Sequence, residues 1–173
     1  MNDTEIVHVM LKPDTLERCI RDSVLEDLIA IGGRIILSKK IVLNYEQISE
    51  IYPNFKNARA KSTVFKYFTS YETEHLAFVG EKGIHKKYQA SKGRPGAGGI
   101  RGKYYTKYTE LSPSDLDLWL AGLGTNLEDI DLEMFGYDIL HVPDSPKHSQ
   151  RGLIAVFGDH YLLALNGVTK NEK

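Results

Sequence analysis

Apolar residues along the chain fall into short runs and periodic stretches separated by strong breakers. TEIVHVML at 4–11 places Ile6, Val7, Val9, Met10 and Leu11 almost side by side, which predicts a buried strand, and Lys12-Pro13-Asp14 stops it. Asp14 with Glu17 reads as a capping box. Ile20, Val24, Leu25 and Leu28 then recur at helical spacing, so a helix is expected from 15 to 31, closed by Gly32-Gly33. RIILSKKIVL is rich in β-branched residues and predicts a second strand. Asn44 and Gln47 open a short helix that carries Ile48 and Ile51 and ends at Tyr52-Pro53.

A helix is expected from 58 to 70 on the spacing of Val64, Phe65 and Phe68, a third strand over 74–80, and a basic helix over 81–91. The glycines of KGRPGAGGIRG predict a loop. SPSDLDLWLAGLG predicts a helix with Leu116, Trp119, Leu120 and Leu123 on one face, and YDILHV and RGLIAVFG are read as strand-like runs. The order β-α-β-α-α-β-α-loop-α-β implies an α+β sandwich with helices on a largely antiparallel sheet.

Composition narrows this picture. At 173 residues the chain is of a size for one well-buried core and is read as a single domain, 1–173. A net charge of -1 shows no global excess that would favour nucleic acid. No long apolar stretch follows a basic start, so neither export nor membrane insertion is indicated and a cytoplasmic protein is expected. The single Cys19 has no partner for a disulfide and no metal-ligand spacing. Charge is uneven: Lys82, Lys86, Lys87, Lys92, Arg94, Arg101, Lys103 and Lys107 make the middle cationic, whereas 109–135 holds acids and neither Lys nor Arg. Any anion site is therefore local.

Several residues could carry chemistry. The glycine-rich loop lacks the GxxxxGK[ST] pattern, so it is not a Walker A loop. Arg101 at its end is a permanently charged planar donor suited to phosphate. Lys12 stands where a buried strand exits the sheet. His141 precedes an Asp-Ser-Pro turn, and Ser145-Pro146 has the form of a helix start. An imidazole with a pKa near 6.5 has a nitrogen free to attack phosphorus at neutral pH. On local context alone, a solvated or structural role is the favoured reading for each of these residues.

VMLKPDTLER (9–18), EIYPNFK (50–56), KYFTS (66–70), GIRGKY (99–104) and DILHVPDS (138–145), in that order, resemble the nucleoside diphosphate kinase family. The resemblance spans 5–105 and resumes at 136–158. It implies a ferredoxin-like α/β sandwich with a four-stranded antiparallel sheet. It also implies transfer of the γ-phosphate of a nucleoside triphosphate to a nucleoside diphosphate through a phosphohistidine on His141. Nucleotide contacts then fall to Lys12, Tyr52, Tyr88, Arg101 and Asp138. Magnesium is expected bound with the nucleotide, the partners are nucleoside di- and triphosphates, and a homo-oligomer is implied.

The pattern also departs from the family at identifiable positions. The base-stacking aromatic falls at Ala60, a residue after the nucleophile is Pro143, and the glutamate that orients the imidazole falls at Gly152, leaving Asp138 and Asp144 as the nearby carboxylates. The stretch 106–135 is an insertion, read as packing on the surface, a neighbouring subunit or the nucleotide pocket. These departures define the alternative expectation: a nucleotide-binding or assembly module that keeps the fold with weak or no turnover.

Overall fold

The computed structural model describes residues 4–54, 58–94, 98–104 and 139–170; the 106–135 insertion, its expected helix and Asp138 lie outside them. The elements are β1 (Thr4–Leu11), α1 (Pro13–Glu17), α2 (Arg21–Ala30), β2 (Arg34–Ile41), α3 (Tyr45–Ile51), α4 (Ala58–Phe68), β3 (Thr73–Glu81), α5 (Ile84–Lys92), α6 (Gly99–Tyr104), β4 (Leu140–His141), α7 (Pro146–Phe157) and α8 (Asp159–Lys170).

The strands form one four-stranded sheet in the order β2-β3-β1-β4. Every pair is antiparallel, with Val9 opposite Leu76 and Met10 opposite both His75 and His141. A bulge at Ile36 breaks the β2–β3 register. Helices cover both faces, which explains why β1 is nearly continuously apolar. Val7, Val9 and Leu11 point to one core with Val24, Leu28, Ile84, Tyr88 and Ile100. Met10 points to the other, with Ile48, Ile51, Phe68, Leu153, Val156 and Phe157.

Four local expectations are corrected. RGLIAVFG is helical and forms most of α7, because Leu153, Val156 and Phe157 at i, i+3 and i+4 bury one stripe, while Ser145 caps the start by accepting from His148 N. The expected 15–31 helix is two helices: Cys19 adopts φ 56°, a left-handed break between α1 and α2. The Asp14–Glu17 capping box does not form; Lys12 is the N-cap without a side-chain bond, and Asp14 is buried inside the first turn. The Asn44–Gln47 box is present in full, with each side chain bonding the other's backbone N–H. GIRGKY, read within the glycine loop, forms α6.

Candidate active site

The short edge strand β4 carries the site. It is introduced by Ile139, which has φ 60°, a conformation that costs a β-branched residue on the order of 1–3 kcal/mol. Surrounding bonds hold it there: Lys12 N donates to Ile139 O at 2.9 Å and Thr15 Oγ1 donates to the same oxygen at 2.5 Å. The strained residue thus locks β4 to the turn that carries Lys12.

Carbonyls two residues apart on a strand point the same way, and those of Leu140 and Val142 are satisfied by cationic or amide side chains. Arg101 donates to Leu140 O through Nε at 3.1 Å and Nη2 at 2.8 Å. Gln89 Nε2 donates to Val142 O at 2.8 Å and also to Pro143 O, and Lys92 Nζ donates to Val142 O at 3.3 Å. The backbone on both sides of His141 is therefore fixed by α5 and α6.

His141 is half-buried on this strand, beside the Tyr52 ring at a centroid distance of 4.6 Å. Tyr52 in turn stacks on Phe68 at 5.6 Å. Burial pushes the His141 imidazole well below its ordinary pKa, and the neighbouring Lys12, His8, Lys92 and Arg101 push in the same direction. The ring is consequently neutral at pH 7. Nε2 is its buried nitrogen and has no hydrogen-bond partner among the described residues.

Lys12 is nearly buried, and next to it Asp14 is completely so. Burial pushes the Asp14 carboxyl up to about 7 against the opposing pull of Lys12, of the backbone at Ile139 and Thr15, and of Arg18, whose guanidinium stands 3.9 Å away. The charge around the imidazole is thus predominantly positive, suited to an anion that brings its own negative charge.

Of the residues expected at the site, Lys12, Tyr52, Arg101 and His141 surround one another. Tyr88 does not join them. It is fully buried in the core on the opposite face of the sheet, its hydroxyl donating to Leu28 O at 2.9 Å. That hydroxyl lies so close beneath Gly33 that a Cβ there would come within 2.6 Å of it, so Tyr88 is a packing residue with no route to a ligand. Asp138 lies outside the described residues, and Ala60 is in α4. Asp144 is exposed and faces Lys92 at 3.9 Å, not His141. Gln89 and Thr15 carry no signal in the sequence, and Lys92 shows there only as one charge in a basic segment.

The α/β sandwich with its four-stranded antiparallel sheet is the nucleoside diphosphate kinase fold, which solved structures share with this chain. A nucleoside-diphosphate kinase from Borrelia burgdorferi, a transition-state mimic with bound vanadate and ADP, superposes with a TM-score of 0.67 at 16% identity, covering 90% of this chain and 88% of that one. The apo nucleoside diphosphate kinase of Encephalitozoon cuniculi gives 0.64 at 18% identity over 90% of each chain. An NDP kinase from Pyrobaculum aerophilum gives 0.63 at 21%, covering 89% of this chain and 96% of that one. No protein-family model matches the chain, and no curated protein matches it by sequence. Among the described residues no helix is long and apolar enough to cross a membrane.

Proposed function

We propose that the chain is a phosphotransferase that moves the γ-phosphate of a nucleoside triphosphate to a nucleoside diphosphate through a phosphohistidine on His141. The observation that carries this reading is one imidazole held neutral by burial and by the cations Lys12, Lys92 and Arg101 at a rigid strand edge. With Nε2 turned inward, Nδ1 is the nitrogen left to attack. Its lone pair forms the N–P bond as the bond from phosphorus to the β–γ bridging oxygen breaks, and the diphosphate leaves with that electron pair. In the return step a terminal oxygen of the acceptor diphosphate attacks phosphorus and the N–P bond breaks, so kinetics are ping-pong.

Phosphoryl transfer is mainly positioning and charge stabilisation, which the cations supply here. Lys12, Tyr52, Arg101 and Asp138 are the nucleotide contacts in this reading. Magnesium would be held by the nucleotide's own phosphates. Lys12, Lys92 and Arg101 fit that arrangement, since they are donors for phosphate oxygens and not ligands for a metal.

The reading is tested by incubating the chain with γ-labelled ATP and magnesium. Acid-labile, alkali-stable label is expected on the wild type and absent from His141→Ala; an unlabelled wild type, or label undiminished in the variant, overturns it. Pro143 and Gly152, which supply neither a hydroxyl nor a carboxylate, favour the second reading, a nucleotide-binding module without efficient turnover. Saturable ATP binding without label would select that reading.

A further inference from the structure

Three histidines share one face of the sheet. His75 and His141 both stand opposite Met10, on either side of β1, and His8 lies two residues along β1, diagonal to both. His8 and His75 are completely buried and stack at a centroid distance of 5.2 Å.

Their hydrogen bonds fix their protons. The Thr73 hydroxyl donates to Ile41 O at 3.0 Å, so its oxygen must accept from His75 Nε2, 2.9 Å away. His75 therefore presents a bare Nδ1, to which His8 Nε2 donates at 2.9 Å. Burial lowers His8 to about 3 and keeps it neutral, so its other nitrogen, Nδ1, is a bare acceptor. That atom is buried without a hydrogen-bond partner among the described residues, and so is Nε2 of His141.

His8 Nδ1 faces Gly152. A Cβ at 152 would fall 2.4 Å from His8 Nδ1 and 2.8 Å from its Cε1. The imidazole of His8 thus fills the space that a side chain at 152 would need.

We propose that His8 is the positioning residue of His141: through one buried water its Nδ1 accepts the proton of His141 Nε2, fixing the tautomer whose Nδ1 is free to attack. A buried water needs two or more polar partners; His8 Nδ1 supplies an acceptor, and in the proposed tautomer His141 Nε2 supplies a donor. In register, His141 stands at the same two-residue offset from His8 as His75 does, on the other side of β1. His8 is too weakly basic to take the proton, so it orients the ring and does not act as a base. The use made of this tautomer rests on the phosphotransferase reading; the tautomer itself does not.

The test is long-range proton–nitrogen NMR on the full chain labelled with 15N-histidine, combined with the γ-labelled ATP assay. His141 and His8 are both expected with the proton on Nε2. A His141 that carries it on Nδ1 or exchanges freely between tautomers, or a His8 protonated on Nδ1, overturns the proposal on the wild type alone, even should a variant fail to fold. His8→Leu removes the acceptor and is expected to mix the His141 tautomers and slow labelling roughly 10-fold or more with KM little changed. His8→Asn places an oxygen where Nδ1 was and is expected to restore both.

Unchanged tautomer and rate in His8→Leu would sink the positioning role. Label on His141 with a tautomer indifferent to His8 leaves the phosphotransferase standing and removes His8. A His8-dependent tautomer in a chain that takes no label does the reverse.

Discussion

An imidazole that attacks phosphorus must be neutral when it does so, and His141 owes its neutrality first to burial and then to the cations around it. An ordinary histidine is half protonated near pH 6.5 and loses nucleophilicity below it. Because the His141 pKa is lowered, its neutral form persists as pH falls past that point. Initial rates of His141 labelling, measured from about pH 5 to about pH 8, are expected to show their acid limb clearly below 6.5. Replacing Lys92 by methionine removes one of the positive neighbours and should move that limb upward. A limb at 6.5 in the wild type would show that the cations do not act on the ring as described.

At the scale of elements, the layer beneath the site is held by a buried ion pair. Arg21 at the start of α2 grips Glu74 on β3 through Nε at 2.5 Å and Nη2 at 2.6 Å, and Ser38 on β2 adds a bond at 2.9 Å. Burial alone would raise the Glu74 pKa, but these bonds outweigh it and hold it below the usual value. Arg21→Ala would leave a carboxylate that is almost fully buried without its fork. It should cost roughly 3 kcal/mol by chemical denaturation, while Arg21→Lys recovers only part because a point charge cannot form the fork. A loss within a few tenths of a kcal/mol would show that the pair does not pin α2 to the sheet.

Such elements differ in how far the sequence announces them. β1 and β3 were legible because burial on both faces demands an apolar run, and α3 because its capping box is local chemistry. RGLIAVFG was misread because a short, continuously apolar run carries neither period clearly; its helical identity is set by the core that Leu153, Val156 and Phe157 fill. The break at Cys19 has no sequence signal of the kind glycine provides. That Lys12, Tyr52, Arg101 and His141 lie near one another was legible through motif resemblance. His8 was not, since its significance lies in a contact with Gly152 far along the chain, and a glycine reveals what it makes room for only once the backbone is in place.

Among the described residues the buried ionisable groups set an acid-sensitive stability, with Asp14 opposing four histidines. His8, His75, His85 and His141 all have lowered pKa values, each chiefly through burial. As pH falls through about 6.5, the unfolded chain takes up protons that the folded chain refuses, so each contributes a loss of stability toward acid. Asp14 works the other way. Its pKa is raised from 3.8 to about 7, so across that window the folded chain holds a proton that the unfolded chain has released. Its contribution therefore favours folding at low pH and declines as pH rises toward 7, by at most about 4 kcal/mol. Four histidines against one aspartate give a net loss of stability below about pH 6.5. Urea unfolding across that range should show it, and Asp14→Asn, which removes the opposing term, should make the fall toward acid steeper while raising stability above pH 7 relative to the wild type. A wild-type stability that is flat between about pH 5 and about pH 7, or an Asp14→Asn variant with an unchanged slope, would mean that these groups are not buried as ionisable groups in the folded chain.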